Sequence, residues 1–520
     1  ADLRGRYARF TVATSQFNGM GWVVEHLGVG AIVYPGFGIK DQARAAIQIL
    51  SEDPPERRVF THTGWRQIGQ EWVYLHGGGA IGAKGVRQGI EVALPEALSR
   101  FQLPPPPYAE DLATAIHASL GMIEVADRRI TVPIYCSIWT AILGGNDFSA
   151  HLSGPTSAGK SELTALAQQH FGPEMDARHL PGSWSSTGNA LEAMAFAAKD
   201  ALLAVDDFVP TGSRADVQRM HREADRLLRA QGNVSGRIRL RPDASVKPPR
   251  PPRGIILSTG EDIPRGQSLQ ARLLALELPR EGDGSLDWDL LSQCQNDACS
   301  GLYSQALSGF VQWLVPQYEE VQRSLKEEVA NLRDQAHQSG QHRRTPDIVA
   351  RLGVGLRYFL EFAQDRGAMT SQMREDVWAR CWSALGETAA FQATHQQVAE
   401  PATQFLELLG GVIASGRAHI ASTKGKKPDS PEAWGWREIT VGTGDYTRQE
   451  WGPQGHRVGW VEDTALYLNA AAAYAEVQRL AGDGGDALTV TLPTLKRRLH
   501  DKGLLASIEQ RGGKIRLEVR

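Results

Sequence analysis

At 520 residues, with 42% hydrophobic and 22% charged residues, the chain carries enough apolar material for three or four globular domains and is not disordered. No run of about 18 apolar residues occurs, which excludes a membrane-spanning helix, and the four cysteines (Cys136, Cys294, Cys299, Cys381) lack metal-ligand spacing and suit free thiols in a reducing cytoplasm. The net charge of −3 hides an uneven distribution: positions 214–253 hold eleven Lys/Arg against four Asp/Glu, and 496–520 hold eight against three, the footprint of local contact with a polyanion or of solvated helix faces.

No signal peptide opens the chain, and Ala1 in place of Met fits numbering that starts inside a longer protein. Residues 1–105 are expected to form an α/β accessory domain, with strands at 6–12, 21–24 and 30–34 and a helix at 41–50. His62 and His76 are isolated and read as structural. The four prolines at 104–107 form a stiff spacer, a natural domain boundary. A helix is expected from 111 to 125, and an apolar stretch at 132–143 ends in Gly144-Gly145.

The strongest motif follows a short strand end at His151-Leu152-Ser153. Gly154-Pro155-Thr156-Ser157-Ala158-Gly159-Lys160-Ser161 is G-x-x-x-x-G-K-S, the phosphate-binding loop pattern. Its glycines let successive backbone N–H groups converge on one anion. Lys160 is expected to reach the β/γ-phosphates and the Ser161 hydroxyl to ligate Mg²⁺. A helix beginning near Glu162 completes the anion site with its N-terminal amides.

A second motif lies 46 residues past Lys160. Five consecutive apolar residues lead into Asp206-Asp207, the pattern of a buried parallel strand whose C-terminal end meets ligand. Asp206 is expected to hold the metal shell and Asp207 to orient or deprotonate an attacking water. Next comes a basic helix at 214–230 with Arg219, Arg222, Arg226 and Arg229 on one face. It is followed by a hairpin at 232–253 in which Arg237, Arg239 and Arg241 alternate with Ile238 and Leu240, with Lys247 on the return strand. This is either a surface ribbon or a loop that grips phosphates.

The apolar run at 254–257 ends in Ser258-Thr259, either of which can sense the γ-phosphate. Arg272, thirteen residues past Thr259, is a candidate to enter a neighbour's nucleotide site, with Arg265 as its competitor. Residues 281–425 read as a helical lid and bundle. Residues 423–460 read as irregular and 462–480 as a helix. The C-terminal domain, 426–520, is expected to end in a winged helix, with Lys496, Arg497 and Arg498 as candidate DNA contacts.

This order of motifs across 106–280 resembles the AAA+ ATPases of helicase superfamily 3 and their minichromosome-maintenance-like relatives. The Asp206-Asp207 pair, Ser258-Thr259-Gly260-Glu261 and the Gln267-to-Arg272 segment are similar to the uncharacterised-domain helicases of phages, plasmids and genomic islands, including staphylococcal cassette elements. The family's usual sensor is Asn, so Ser258-Thr259 departs from the pattern. The resemblance implies an α/β P-loop core with ATP and Mg²⁺ bound between subunits of a homo-oligomer, expected to be a hexamer. Arg272 would act in trans, and Arg239, Arg241 and Lys247 would hold single-stranded DNA by its phosphates. A primase or initiator protein is an implied partner. Rival readings are an ATP-controlled AAA+ switch that unwinds nothing, and a DNA-binding initiator that uses ATP only to close a ring. A small-molecule P-loop kinase needs neither a basic hairpin nor a winged helix.

Overall fold

A computed structural model describes residues 10–520 except 52–57, 241–243, 267–268, 270, 283, 337–343, 399, 442–447, 485–487, 489, 506–508, 512–513 and 518–520. Internal contacts divide the chain into two units, 1–58 and 59–520. Within the first, the described residues form short helices at Thr14–Phe17, Trp22–Leu27 and Ile39–Leu50. The expected strand at 21–24 is therefore a helix, and residues 30–34 form no strand. Apolar runs of four or five residues carry no period that separates the two states. Most of the expected strand at 6–12 lies outside the described residues.

The second unit is organised around a parallel sheet and one buried helix. That helix, α1 (Arg128–Leu143), is the apolar run that precedes the phosphate loop motif, and from Ile130 onward every residue in it is buried. Asp127 caps it through the Arg129 amide. Pro133 lies inside it and removes the donor for the Arg129 carbonyl. Thr388 Oγ1 supplies the missing bond at 2.8 Å.

The sheet comprises β1 (Ser149–Ser153), β2 (Gly182–Ser183), β3 (Leu202–Phe208), β4 (Ile255–Gly260) and β5 (Leu273–Glu277) in the order β5-β1-β4-β3-β2, all parallel. Helix α2 (Lys160–Gln169) packs on β3 and β4, and α4 (Arg214–Asn233) on β1 and β4. Helix α3 (Gly188–Ala197) contacts α4. The strand residues are almost wholly buried, as a doubly covered parallel sheet requires. β1 is the switch point: the chain leaves it toward β2 at one edge and later returns to its other side as β5. Ligands in such sheets bind beyond the strands' C-terminal ends at that point.

Residues 59–105 form a four-stranded antiparallel sheet (Gly64–Ile68, Glu71–His76, Gly79–Gly82, Gly85–Val86) whose Trp65, Tyr74 and Ile81 enter the same core as α1. The join is polar as well. The Trp65 amide donates to the Asp200 carboxylate at 3.0 Å and its indole to the Ile142 carbonyl at 2.7 Å. The prolines at 104–107 link Leu103 to Leu112, both buried in that core.

Beyond β5 the chain is helical: Trp288–Cys299, Leu302–Leu314, Tyr318–Ala336, Thr345–Asp365, Ser371–Val398 and Pro401–Ala414. These helices enclose α1, with Trp139 stacked on Phe359 at 4.1 Å. The stretch expected to be irregular is instead largely β-structure. Ala418–Ser422, His456–Glu462 and Ala465–Leu468 make one sheet, and Trp436–Val441 pairs with Arg448–Pro453. The expected helix from 462 begins only at Ala470 and runs to Gly484. Helix Leu492–Asp501 and the paired strands Glu509–Arg511 and Lys514–Arg516 close the chain. Leu495 and Leu499 are buried in one cluster with Phe405, Ile420 and Val458.

Candidate functional site

The loop between β1 and α2 adopts the conformation that its glycines permit. Gly154 has φ 157° and Gly159 has φ 88°, and Ser157 is left-handed at 64°. A Cβ on Gly154 would fall 2.4 Å from the Leu278 carbonyl oxygen, and one on Gly159 2.1 Å from Leu286 Cδ1. Gly154 therefore requires glycine for space as well as for backbone angle, and Gly159 for backbone angle, since the Leu286 side chain can shift. Helix α2 starts at Lys160, with Ser161 and Glu162 in its first turn, so its unpaired amides border the loop. Gln295 Nε2 holds Glu162 at 2.6 Å.

Lys160 Nζ donates to the carbonyls of Gly154 (2.8 Å) and Pro155 (2.7 Å). The amine arches over its own loop. Partial burial lowers its basicity, and Glu261, Asp206 and Asp207 act against that shift. Pro155, Thr156 and Ser157 are exposed on the loop while Ala158 is buried beneath it. Thr156 hydrogen-bonds Glu261 at the tip of β4.

The acid pair stands at the end of β3. Ser161 Oγ donates to both carboxylate oxygens of Asp206, at 2.9 and 3.0 Å. Thr259 Oγ1 also donates to Asp206 and accepts from the Asp207 amide at 3.2 Å. The pairing of β3 with β4 is irregular between Ser258 and Gly260, and Asp207 sits at φ 70°. This bulge places two acids opposite one threonine and turns the exposed Asp207 away from the ladder. Ser258 points to the opposite face, as alternate strand residues must. It accepts from Trp184 Nε1 at 2.8 Å and bonds His151 Nδ1 at 2.9 Å, fully buried. Thr259, not Ser258, shares the phosphate loop's edge of the sheet.

The two candidate arginines lie at opposite ends of the sheet. Arg265 follows β4 on the phosphate-loop edge, 3.4 Å from Asp262, with its amide donating to His221 Nδ1. Arg272 directly precedes β5, and its carbonyl accepts from the Ser149 amide at 3.0 Å, at the start of β1. The five residues of β1 span roughly 16 Å, so Arg272 stands beyond side-chain reach of its own Lys160. Gln267 and Ser268, part of the segment that carries the sequence resemblance, lie outside the described residues.

The hairpin is two short strands, Arg239–Leu240 and Val246–Lys247, with Arg239 opposite Lys247. One of its basic residues reaches α3: Arg239 bonds Asn189 at 2.9 Å and pairs with Glu192. Ile238, Leu240 and Val246 are exposed, at 69%, 64% and 58%, as are Arg237, Arg239 and Lys247. Arg237 and Lys247 line a cleft of about 490 Å³ with Glu192, Phe196 and Arg250, and Arg253 stacks on Phe196 at 3.7 Å. Arg241 lies outside the described residues. The basic face expected on α4 is matched locally: Arg219 by Asp216, Arg226 by Glu192 and Arg229 by Asp225. Arg497 is exposed on helix Leu492–Asp501, with Lys496 and Arg498 half-buried on either side of it.

Two contacts at this edge were not anticipated from sequence. Glu261 enters the sequence reading only as part of the Ser258-Thr259-Gly260-Glu261 segment, with no role of its own, yet it bridges to the phosphate loop. Glu192 sits in an Ala-rich helix with no motif around it, and only folding brings Arg226 and Arg239 to it.

Residues 127–247 match the family described as Domain of unknown function (DUF927), a stretch that spans α1, the phosphate loop, the acid pair and both short hairpin strands. The chain is also similar to a solved structure described as "SCCmec type IV Cch - active helicase", with a TM-score of 0.54 and 12% identity over 90% of this chain and 80% of that one. At that identity the likeness establishes a shared fold. Comparison with curated proteins finds no match. The described chain is mixed α/β, with a five-stranded parallel sheet flanked by helices, compatible with a P-loop core. Among the described residues no helix is long and apolar enough to cross a membrane.

Proposed function

We propose that this chain is an ATP-hydrolysing DNA motor of the helicase type, working as a ring of identical subunits, six by the sequence resemblance, on single-stranded DNA of a mobile element. The observation that carries the reading is the Ser161–Asp206–Thr259 constellation beside Lys160, built from three separate elements at the switch point of a parallel sheet. The fold shared with a protein described as an active helicase supports the choice of motor over other P-loop enzymes. A primase or initiator remains the partner class proposed from the same resemblance.

The residues present fit a triphosphate and a hard divalent cation. The Ser161 hydroxyl and the Asp206 carboxylate are oxygen donors already within 3.0 Å of each other, the donor chemistry that Mg²⁺ prefers. Bound Mg²⁺ supplies charge neutralisation at the phosphates. Lys160, released from the Gly154 and Pro155 carbonyls, contacts the β/γ-phosphates. Asp207 is exposed and free to orient water and take its proton. Thr259 holds Asp206 in place and relays the state of the site to β4. Arg272, remote from its own loop, serves the nucleotide of the next subunit. The hairpin's Arg237, Arg239, Arg241 and Lys247 bind DNA phosphates once they leave α3, and a winged helix carrying Lys496, Arg497 and Arg498 adds a second DNA contact.

One observation favours a second reading, an ATP-controlled switch that remodels a partner without unwinding. Arg239 of the hairpin is engaged by Asn189 and Glu192, as it would be if it never met DNA. The deciding experiment is ATP hydrolysis and strand displacement with and without single-stranded DNA. DNA-stimulated hydrolysis with displacement is expected. Hydrolysis indifferent to DNA, with no displacement, would establish the switch.

A further inference from the structure

In the C-terminal sheet, Trp460 and Tyr467 stand directly opposite each other on the antiparallel strands His456–Glu462 and Ala465–Leu468. The pairing of His456–Glu462 with Ala418–Ser422 shifts between His419 and Ile420, which leaves Val458 as an extra residue on its strand. A bulge of this kind re-aims the side chains beside it. Arg457 and Trp460, three positions apart, therefore share a face, and the guanidinium lies over the indole at 4.9 Å. The other face belongs to the core: Val458 is buried, and Val461 and Leu468 pack on the cluster that holds Leu495 and Leu499. The aromatic face is turned away from the helix that carries Arg497. Tyr467 is 44% exposed on it, with Arg457 exposed and Trp460 half-buried.

A basic loop is tied to the end of the same strand. Residues 423–427 follow Ala418–Ser422, and Thr423 Oγ1 donates to Glu462 at 3.0 Å. The Lys426 carbonyl accepts from the Ser422 amide at 2.8 Å and its hydroxyl at 2.9 Å, which closes the loop. Lys424, Lys426 and Lys427 are exposed on it. The loop and positions 456–468 together hold these three lysines and Arg457 against Glu462 and Asp463, so cations prevail around the two rings. Aromatic pairs across strands stabilise a sheet, but that role does not need a ring in water or a cation over its partner. Rings for bases beside cations for phosphates are the two parts of a single-strand platform. A duplex hides its base faces in the stack and offers such rings nothing to meet.

We infer that this face stacks bases of single-stranded DNA, one on Tyr467 and one on the Trp460–Arg457 pair, since guanidinium planes as well as rings stack bases. The lysine loop meets the flanking phosphates. This rests on the reading of the chain as a motor on single-stranded DNA. It adds a site that touches bases, apart from the basic residues of the hairpin and of helix Leu492–Asp501, in a stretch that no motif marks.

Equilibrium binding of the full chain to a labelled oligothymidylate, and to an abasic strand of the same length, tests it. Tyr467→Leu keeps apolar bulk on the strand and removes the ring. It should weaken oligothymidylate binding by about 5- to 100-fold, the worth of one stacked base. The affinity of the abasic strand and the log–log salt slope should not change. Tyr467→Phe should bind like wild type. Trp460→Leu should repeat the loss, and Trp460→Phe should recover most of it. Lys424→Gln/Lys427→Gln should weaken both strands and lower the salt slope by about one per lost contact. Thermal unfolding of each variant reports on the fold. Leu variants that bind oligothymidylate like wild type overturn the proposal, and earlier melting in them would make the rings a sheet-stabilising pair alone. Equal loss on both strands overturns it as well, because bases would not be what the rings meet. Either result, with wild-type binding intact, leaves the single-strand motor reading standing. A wild-type chain that binds neither strand sinks both.

Discussion

Thr259 and Asp206 are joined by a hydrogen bond across adjacent strands, and the bond exists because β3 bulges where β4 does not. In a regular ladder one residue of β3 would face Thr259. Here Asp206 accepts from its hydroxyl and the Asp207 amide donates to it. One side chain thereby fixes both acids. Thr259→Val keeps the shape and removes both bonds. Turnover of ATP should fall about 10- to 100-fold, with nucleotide affinity changed far less, while Thr259→Ser should retain most activity. Single-turnover hydrolysis beside equilibrium binding separates the two effects. A Val variant that turns over normally would remove Thr259 from the site.

The Lys160 and Asp207 variants divide binding from chemistry. Lys160→Ala removes the cation that the loop carbonyls hold ready, so ATP affinity should drop by at least about tenfold. Asp207→Asn removes only the base on an exposed residue. It should bind ATP normally and turn over on the order of 10²- to 10⁴-fold more slowly. Calorimetric binding and phosphate release measure the pair. Wild-type rates in both would mean that the site lies elsewhere.

How much of this was legible in the sequence follows from the range of the forces involved. The glycine loop and the acid-tipped strand were readable because local order sets them: glycines at fixed offsets, and apolar residues running into acids. The choice between Ser258 and Thr259 was not readable, because strand alternation fixes only that they face opposite ways. Packing of His151 and Trp184 on Ser258 decides which way. The distance of Arg272 from its own loop depends on β5 pairing parallel and in register with β1, a topological fact. The strands Trp436–Val441, Arg448–Pro453 and His456–Glu462 are not legible because Gly, Trp and Arg interrupt the alternation, and the buried Trp436 bonds the carbonyl of Ile420, on another strand. The pairing of Arg239 depends on Glu192, some fifty residues away.

Three buried histidines make the second unit acid-sensitive. His76 Nδ1 accepts from the Gly78 and Leu103 amides. His151 Nε2 donates to the Asp262 carbonyl while Nδ1 faces Ser258, and His170 Nδ1 donates to the Leu166 carbonyl while Nε2 faces Ser119. Each is held neutral. Burial depresses His76 and His151 to about 4 and His170 to about 3, from an ordinary 6.5. A depressed folded value means that the unfolded chain binds the proton first. Stability is therefore complete above about pH 6.5 and is lost as pH falls toward 4, by up to about 1.4 kcal/mol per pH unit for each histidine. Denaturant unfolding between pH 7 and 4.5 should show this slope, and His170→Gln should reduce it by about one histidine's share. A flat profile would show that these rings are not held neutral.

The hairpin offers the sharpest test of the DNA assignment, because Glu192 and DNA phosphates would compete for one guanidinium. Arg239 is pinned by Glu192, itself held by Arg226 at 3.2 Å, so the acid stays in place when Arg239 leaves. Glu192→Gln removes the competitor. Single-stranded DNA affinity should rise by about 2- to 5-fold at low salt, the range of a partly exposed ion pair. Arg239→Ala should weaken binding and lower the log–log salt slope by about one phosphate contact, leaving basal ATP hydrolysis unchanged. The opposite signs of the two effects matter more than their size. A general loss of fold would weaken binding in both variants, whereas competition strengthens it in one. If neither variant moves affinity or slope, the hairpin's basic face belongs to α3 alone. The exposed Arg497, with Lys496 and Arg498 beside it, would then be the surface to test for DNA contact.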